Sequence, residues 1–191
     1  MLARENPLTV QRVRRLRYRL AGTSWEALLQ RLRALEYRAA IVGSHGHGKT
    51  TLMEDLAPRL SIDGWDVRSL RLQQGQGRLT AEERQSLDGA GAGTILFVDG
   101  IDELSALERW RLLRDRRGGG MVIAVHREGL LPTLWRCETS PRLLEDLLSE
   151  LGIDGERRPG PPAERLFAEH GGNLREALRA LYDVYAALPV R

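Results

Sequence analysis

The chain has 191 residues, with 29 Lys and Arg against 26 Asp and Glu and a formal net charge of +3. That length suits one domain with a real apolar core, with or without a small appendage, and excludes two full-size domains. No apolar stretch reaches membrane-span length and the opening MLARENPLTV lacks the apolar centre of a secretory leader, so a cytoplasmic location with no membrane partner is expected. Cys137 is the only cysteine, which rules out an intramolecular disulfide and a cysteine-based zinc site and agrees with a reducing compartment.

Charge is unevenly placed. Residues 1–40 hold nine arginines and three glutamates, a local net charge of +6 that leaves the rest of the chain acidic. Such a segment suits contact with nucleic acid or an acidic protein partner, and equally a solvated, arginine-rich surface. No base-reading motif accompanies it. Within residues 1–20 the pattern fits both an edge strand (Leu16, Tyr18, Leu20) and a helix (Val10, Val13, Leu16). Thr23 and Glu26 predict a capping box for a helix whose inner face is Trp25, Leu28, Leu29, Leu32 and Leu35.

The apolar run Ala39 to Val42 predicts a buried parallel strand, followed by a glycine loop and a helix over 50–60. Alternation over 65–72 predicts a second strand. The polar stretch 73–93 holds one short helix capped by Thr80 and Glu83. Thr94 to Asp99 is a third strand. Ser105 and Glu108 open a helix running to the Gly118–Gly120 stop, 121–126 is a fourth strand, and 134–138 a fifth. From Ser140 on only helices are predicted, over 141–151, 163–169 and 173–187, with a linker at 156–162. Alternating strands and helices require a parallel sheet covered on both faces. The expected divisions are an Arg-rich arm (1–24), a nucleotide-binding core (25–139) and a helical lid (140–191).

The loop GSHGHGKT carries the chemistry. Gly43, four residues, Gly48, Lys49 and Thr50 make a complete Walker A pattern, led in by an apolar strand and led out by an amphipathic helix. Backbone N–H groups of Gly43, Ser44, His45, Gly46, His47, Gly48 and the helix start through Thr51 would converge on a phosphate at the positive end of the helix dipole. Lys49 is the sole lysine among the 29 basic residues. A slim ammonium fits such a loop where a planar guanidinium does not, which accounts for the one lysine surviving here. His45 and His47 sit at variable positions of the loop and are expected to point outward rather than to bind metal. The Thr50 hydroxyl would ligate Mg²⁺, and Asp99, at the carboxyl end of a buried strand, would hold its water shell.

Asp102 and Glu103 follow within reach of the same edge. Either could serve as base or water-orienting group, and either could be simple helix N-terminal charge. His126 and Arg127, at the end of the next strand, are placed to sense or stabilise the terminal phosphate, unless Arg127 merely pairs with Glu128 or Asp102. A guanine-reading N-K-x-D motif is impossible away from position 49, so ATP is the expected nucleotide.

These residues resemble the AAA+ and STAND branches of P-loop NTPases over residues 37–188. Asp99-Gly100-Ile101-Asp102-Glu103 is similar to the second nucleotide-binding motif (Walker B) of STAND and NACHT-type proteins. His126-Arg127 resembles their sensor 1 position, and GGNLREAL resembles the lid segment whose arginine, here Arg175, acts as sensor 2. The resemblance implies a 5-1-4-3-2 sheet followed by a small helical lid. Gly100 departs from the AAA+ pattern, which has the catalytic glutamate there, and no arginine finger can be assigned. The leading expectation is a Mg²⁺-dependent ATP-binding protein with slow ATPase activity, working as a switch or for a protein partner, with an oligomer allowed. The alternatives are a non-hydrolysing, nucleotide-controlled adaptor for protein or nucleic acid, and a small-molecule or nucleotide kinase suggested by Arg157 and Arg158.

Overall fold

The computed structural model describes residues 6–115, 119–153 and 159–188. The chain divides into two compact units. The larger, Tyr18–Gly43 with Lys49–Cys137, contains a five-stranded sheet. Its strands are β1 (Arg38–Val42), β2 (Asp66–Arg71), β3 (Thr94–Asp99), β4 (Gly120–Val125) and β5 (Thr133–Arg136). All pairings are parallel, in the order β2-β3-β4-β1-β5, which is the expected 5-1-4-3-2 order read from the other edge.

Two apolar layers sandwich this sheet because β1, β3 and β4 are buried on both faces. On one face, Ala39, Ile41, Ile95, Phe97, Val122 and Ala124 pack with Leu28 and Leu32 of α2 (Trp25–Ala34) and Leu52, Leu56 and Leu60 of α3 (Lys49–Ile62). On the other, Ala40, Val98, Ile123 and Val125 pack with Leu87 of α4 (Ala81–Asp88) and Leu112 of α5 (Ala106–Arg114). Strand periodicity of two assigns alternate residues to the two layers. The expected three-layer α/β architecture is therefore present, and the helices after the sheet form the small C-terminal helical lid.

Several local expectations shift. The cap of α2 is Ser24, whose hydroxyl accepts the Ala27 N–H at 3.2 Å, rather than Thr23. The capping box at Thr80 and Glu83 forms as expected. Helix α5 ends at Arg114, ahead of the glycine stop, and Gly120 already belongs to β4. Gly118, Arg116, Arg117 and residues 154–158, which include the first three residues of the expected linker with Arg157 and Arg158 among them, lie outside the described residues.

The smaller unit groups residues 6–17, Ser44–Gly48 and the described residues from Glu138 on. Helices α6 (Pro141–Glu150), α7 (Ala163–Glu169) and α8 (Leu174–Ala186) bury Leu144, Leu148, Leu166, Ala177 and Leu181 against Leu8. Over residues 6–20 neither a strand nor a long helix forms: α1 spans only Val10–Val13. Buried Asn6 explains why. Its amide donates to the Tyr182 carbonyl at 3.1 Å while its own carbonyl oxygen accepts the Leu8 N–H at 2.9 Å, so this segment is tied to α8 by a satisfied polar link.

Glu108 is one of the two buried acids among the described residues of the larger unit, the other being Asp55. Arg84 reaches the Glu108 carboxylate at 2.6 Å and Arg111 at 3.2 Å. Burial pushes its carboxyl up, but the hydrogen bonds and charges of Arg84 and Arg111 outweigh this and hold it below its ordinary value of 4.5. A lowered carboxylate pKa contributes stability above the unfolded value and loses it as pH falls through the folded one. Glu108→Gln should therefore cost about 1 kcal/mol at neutral pH. It should also flatten the acid limb below pH 4.5, as read by thermal melts across pH.

Candidate nucleotide site

Helix α3 begins at Lys49, directly after the glycine loop. The Lys49 ammonium donates to the Gly43 carbonyl at 2.7 Å, folding back over the end of β1. One residue on, the Thr50 hydroxyl donates to Asp99 Oδ2 at 2.7 Å. The sequence places these groups 49 positions apart; parallel pairing joins them because β3 delivers Asp99 at the same sheet edge at which β1 ends. A hydroxyl and a carboxylate are hard oxygen donors, the set that a small divalent cation keeping most of its waters requires. Among the described residues no group of three His, Cys, Asp or Glu that could hold a metal ion is found.

Two further charged residues border this pair, and sequence reasoning missed them. Arg71 ends β2, in register with Asp99, and its Nε lies 3.5 Å from Asp99 Oδ2. Its other end meets Glu54 at 3.2 Å. Arg71 and Glu54 line, with Thr50 and Asp99, a groove of about 390 Å³ along α3. Only the strand register exposes this link, since nothing in the local pattern of β2 marks Arg71.

The expected acids are separated by their partners. Asp102 sits in a short 3-10 turn, Ile101–Glu103. Its Oδ2 accepts the His126 backbone N–H at 2.9 Å and lies 3.0 Å from the ring Nδ1, and its Oδ1 lies 3.7 Å from Arg109. Glu103 turns away, accepting the Gly75 N–H at 2.9 Å and so pinning the loop after β2. Arg127 is exposed and pairs with neither suggested acid: Glu128 is engaged by Arg136 and Thr133, and Asp102 by His126 and Arg109.

Gly100 has a backbone reason to be glycine. Its φ is +83°, and a Cβ there would lie 3.1 Å from the Leu72 carbonyl. The tight turn after Asp99 thus strains any side chain at the next position and favours glycine there.

Within the smaller unit the glycine loop touches the start of the last helix. A Cβ on Gly46, at φ +73°, would fall 1.7 Å from Asn173 Oδ1, and Asn173 caps α8 by accepting the Glu176 N–H. His47 Nε2 lies 3.5 Å from the Thr139 hydroxyl, which donates to the Gly172 carbonyl at 2.9 Å. His47 therefore faces protein, against the expectation that it points outward, while Ser44 and His45 are exposed. Arg175 lies on the exposed face of α8. The spacing of Asn173 and Glu176 is a local capping pattern, which carries no sign of the contact between Asn173 and Gly46.

Cys137 is no candidate nucleophile. Burial pushes its thiol up to about 11, against opposing contributions from a Tyr18 hydrogen bond and the Lys49 charge.

No family model and no curated protein matches the chain. Solved structures do. RuvB of Thermotoga maritima, described as a Holliday junction branch migration motor, superposes with a TM-score of 0.54 at 19% identity, over 82% of this chain and 58% of that one. NtrX of Brucella abortus matches with a TM-score of 0.51 in both nucleotide complexes. The ADP complex shows 17% identity over 86% of this chain and 50% of that one. The ATP complex shows 19% identity over 87% and 50%. At these identities the likeness is one of fold. The chain spans 50% to 58% of the length of these proteins.

Two measurements check the local geometry. Gly100→Ala should lower stability by about 1–2 kcal/mol in denaturant melts; an unchanged midpoint would mean the turn does not need the left-handed conformation. Iodoacetamide should alkylate Cys137 slowly at pH 8 in native protein and rapidly once denaturant opens the larger unit.

Proposed function

We propose that the chain is an ATP-binding P-loop protein of the AAA+ type that hydrolyses ATP slowly in a Mg²⁺-dependent manner, acting in the cytoplasm as a nucleotide switch or as the ATPase of a protein partner. The observation that carries this is the Thr50–Asp99 hydrogen bond beside Lys49: the three groups a Mg²⁺-triphosphate needs meet at the carboxyl edge of a parallel sheet. In this reading Gly43, Ser44, His45, Gly46, His47, Gly48 and Thr51 supply loop and helix-start N–H groups to the phosphates, and Lys49 spans the outer two. Thr50 and Asp99 would hold the metal, which when bound neutralises charge on the transferring phosphoryl group. Arg175 is assigned a sensor role on the lid, and the core and lid divide near residue 140.

The ATP and ADP complexes of NtrX support the choice of nucleotide, and the motor description of RuvB supports a role in moving or remodelling a partner. The finer STAND or NACHT-type placement rests on the Asp99 to Glu103 stretch alone. A second reading, the non-hydrolysing adaptor, is favoured by Gly100, whose left-handed backbone strains any side chain directly after Asp99. Its nucleic-acid version draws on the arginine-rich segment 1–40.

Fluorescent-ATP titration with Mg²⁺ tests the core claim. Lys49→Ala and Asp99→Asn should each weaken binding at least tenfold, about 1.4 kcal/mol, while keeping the native melt. Equal affinity in wild type and Lys49→Ala would falsify the site. Binding without turnover would leave the adaptor reading.

A further inference from the structure

We propose that β2 is a docking edge, where an extended segment of a partner protein adds to the sheet as a further strand and sets an apolar side chain into the groove beside α3. This interaction surface goes beyond the nucleotide reading and does not depend on it.

The sheet has two outer strands, and the chain treats them differently. Strand β5 is blunted: it has four residues, follows Pro132, slips register against β1 between Thr133 and Trp135, and has its Thr133 carbonyl covered by the Arg31 guanidinium at 2.9 Å. Such devices keep an outer strand from pairing with another chain. Strand β2 lacks them. Its six residues pair with β3 without a break from Asp66 to Arg71, and none is proline. Its charges are engaged on the chain itself, Arg68 with Asp66 at 2.9 Å and Arg71 with Glu54 and Asp99.

The backbone of β2 says what kind of ligand fits. The Asp66 and Leu72 N–H groups donate to the Gly93 and Asp99 carbonyls at 3.0 and 2.9 Å, so the even-numbered residues face β3 and the odd-numbered ones turn N–H and C=O outward. Among the described residues nothing bonds to the outward backbone groups of Val67, Ser69 and Arg71, and Ser69 and Arg71 are exposed. A donor and acceptor pair at every second residue matches an extended polypeptide. The side chains of these three residues line the groove of about 390 Å³ beside α3, together with Met53, Ala57 and Phe97. A strand added next to β2 carries alternate side chains toward that groove, whose walls favour an apolar one. A second copy of β2 does not supply it. Antiparallel pairing about Ser69 would set Ser69 against Ser69 and Val67 against Arg71, so no apolar side chain would reach the apolar walls. The occupant is therefore a segment of another protein with apolar residues at alternate positions.

The test uses the full chain, a displayed library of random octapeptides, and hydrogen exchange. In the chain alone the Ser69 and Arg71 amides should exchange much faster than those of Arg68 and Leu70. Selected peptides should carry apolar residues at alternate positions and slow exchange at Ser69 and Arg71 when bound. N-methylation of one alternate set of peptide amides should weaken binding about tenfold or more, and of the other set hardly at all. Ser69→Pro removes an outward N–H without touching the ladder to β3, so it should keep the native melt and weaken the same peptides about tenfold or more. The N-methyl comparison is made on wild type and holds whatever that variant does to the fold. The proposal is overturned if no peptide enriches, if the two N-methylated sets act alike, if Ser69→Pro binds as tightly as wild type, or if Ser69 and Arg71 are protected in the chain alone. In that last case sedimentation shows whether a second copy already occupies the edge.

Discussion

Everything chemical in the larger unit depends on strands running the same way. Parallel pairing places Arg71, Asp99 and Ala124 in one row across β2, β3 and β4, and Val125 beside Val42 in the next. The carboxyl ends of four strands therefore open on one edge, and Arg71, Asp99 and His126 each follow a strand's last buried residue. Burial supplies the rigidity: Ile95, Val98, Val122, Ile123 and Val125 are inaccessible or nearly so, and such strands cannot slip register without moving both apolar layers at once. Asp99 is held where Thr50 meets it because the strand behind it is immovable.

On this edge the charged residues divide the work by their partners rather than by their type. Asp99 faces a hydroxyl and one guanidinium, Asp102 a histidine, and Glu103 a backbone amide of the loop after β2. Three carboxylates within five residues end in three environments because a left-handed glycine and a 3-10 turn rotate the chain between them. A helix starting directly after Asp99 would have lined the acids along one face instead. The left-handed turn is thus the feature that separates the carboxylate bonded to Thr50 from the one that meets His126.

How much of this could be read beforehand varied with the range of the interaction. The Walker pattern is local, so Lys49 and Thr50 were legible, and the buried strand ending in Asp99 was equally plain because an apolar run closing on an acid has one economical explanation. The caps at Thr80, Ser105, Ser140 and Asn173 all follow short-range rules. The cap of α2 slipped by one residue, since Thr23 and Ser24 are both competent and only packing of Leu28 and Leu32 selects between their helical phases. The first residues were ambiguous for the same reason: Asn6 is anchored by Tyr182, 176 positions away, and no local pattern encodes that.

The sequence by itself determined that a glycine loop joins a buried strand to a helix, that the strands are parallel, and that a helical segment follows, because those follow from period, glycine placement and chain connectivity. Tertiary structure alone decided which acid answers to which partner. Asp102 meets His126, Glu103 meets Gly75, Arg71 meets Asp99, and Gly46 meets Asn173. Each of these contacts spans elements whose relative placement is set by sheet register and by packing of side chains from distant parts of the chain. Neither quantity is carried by any short stretch of residues.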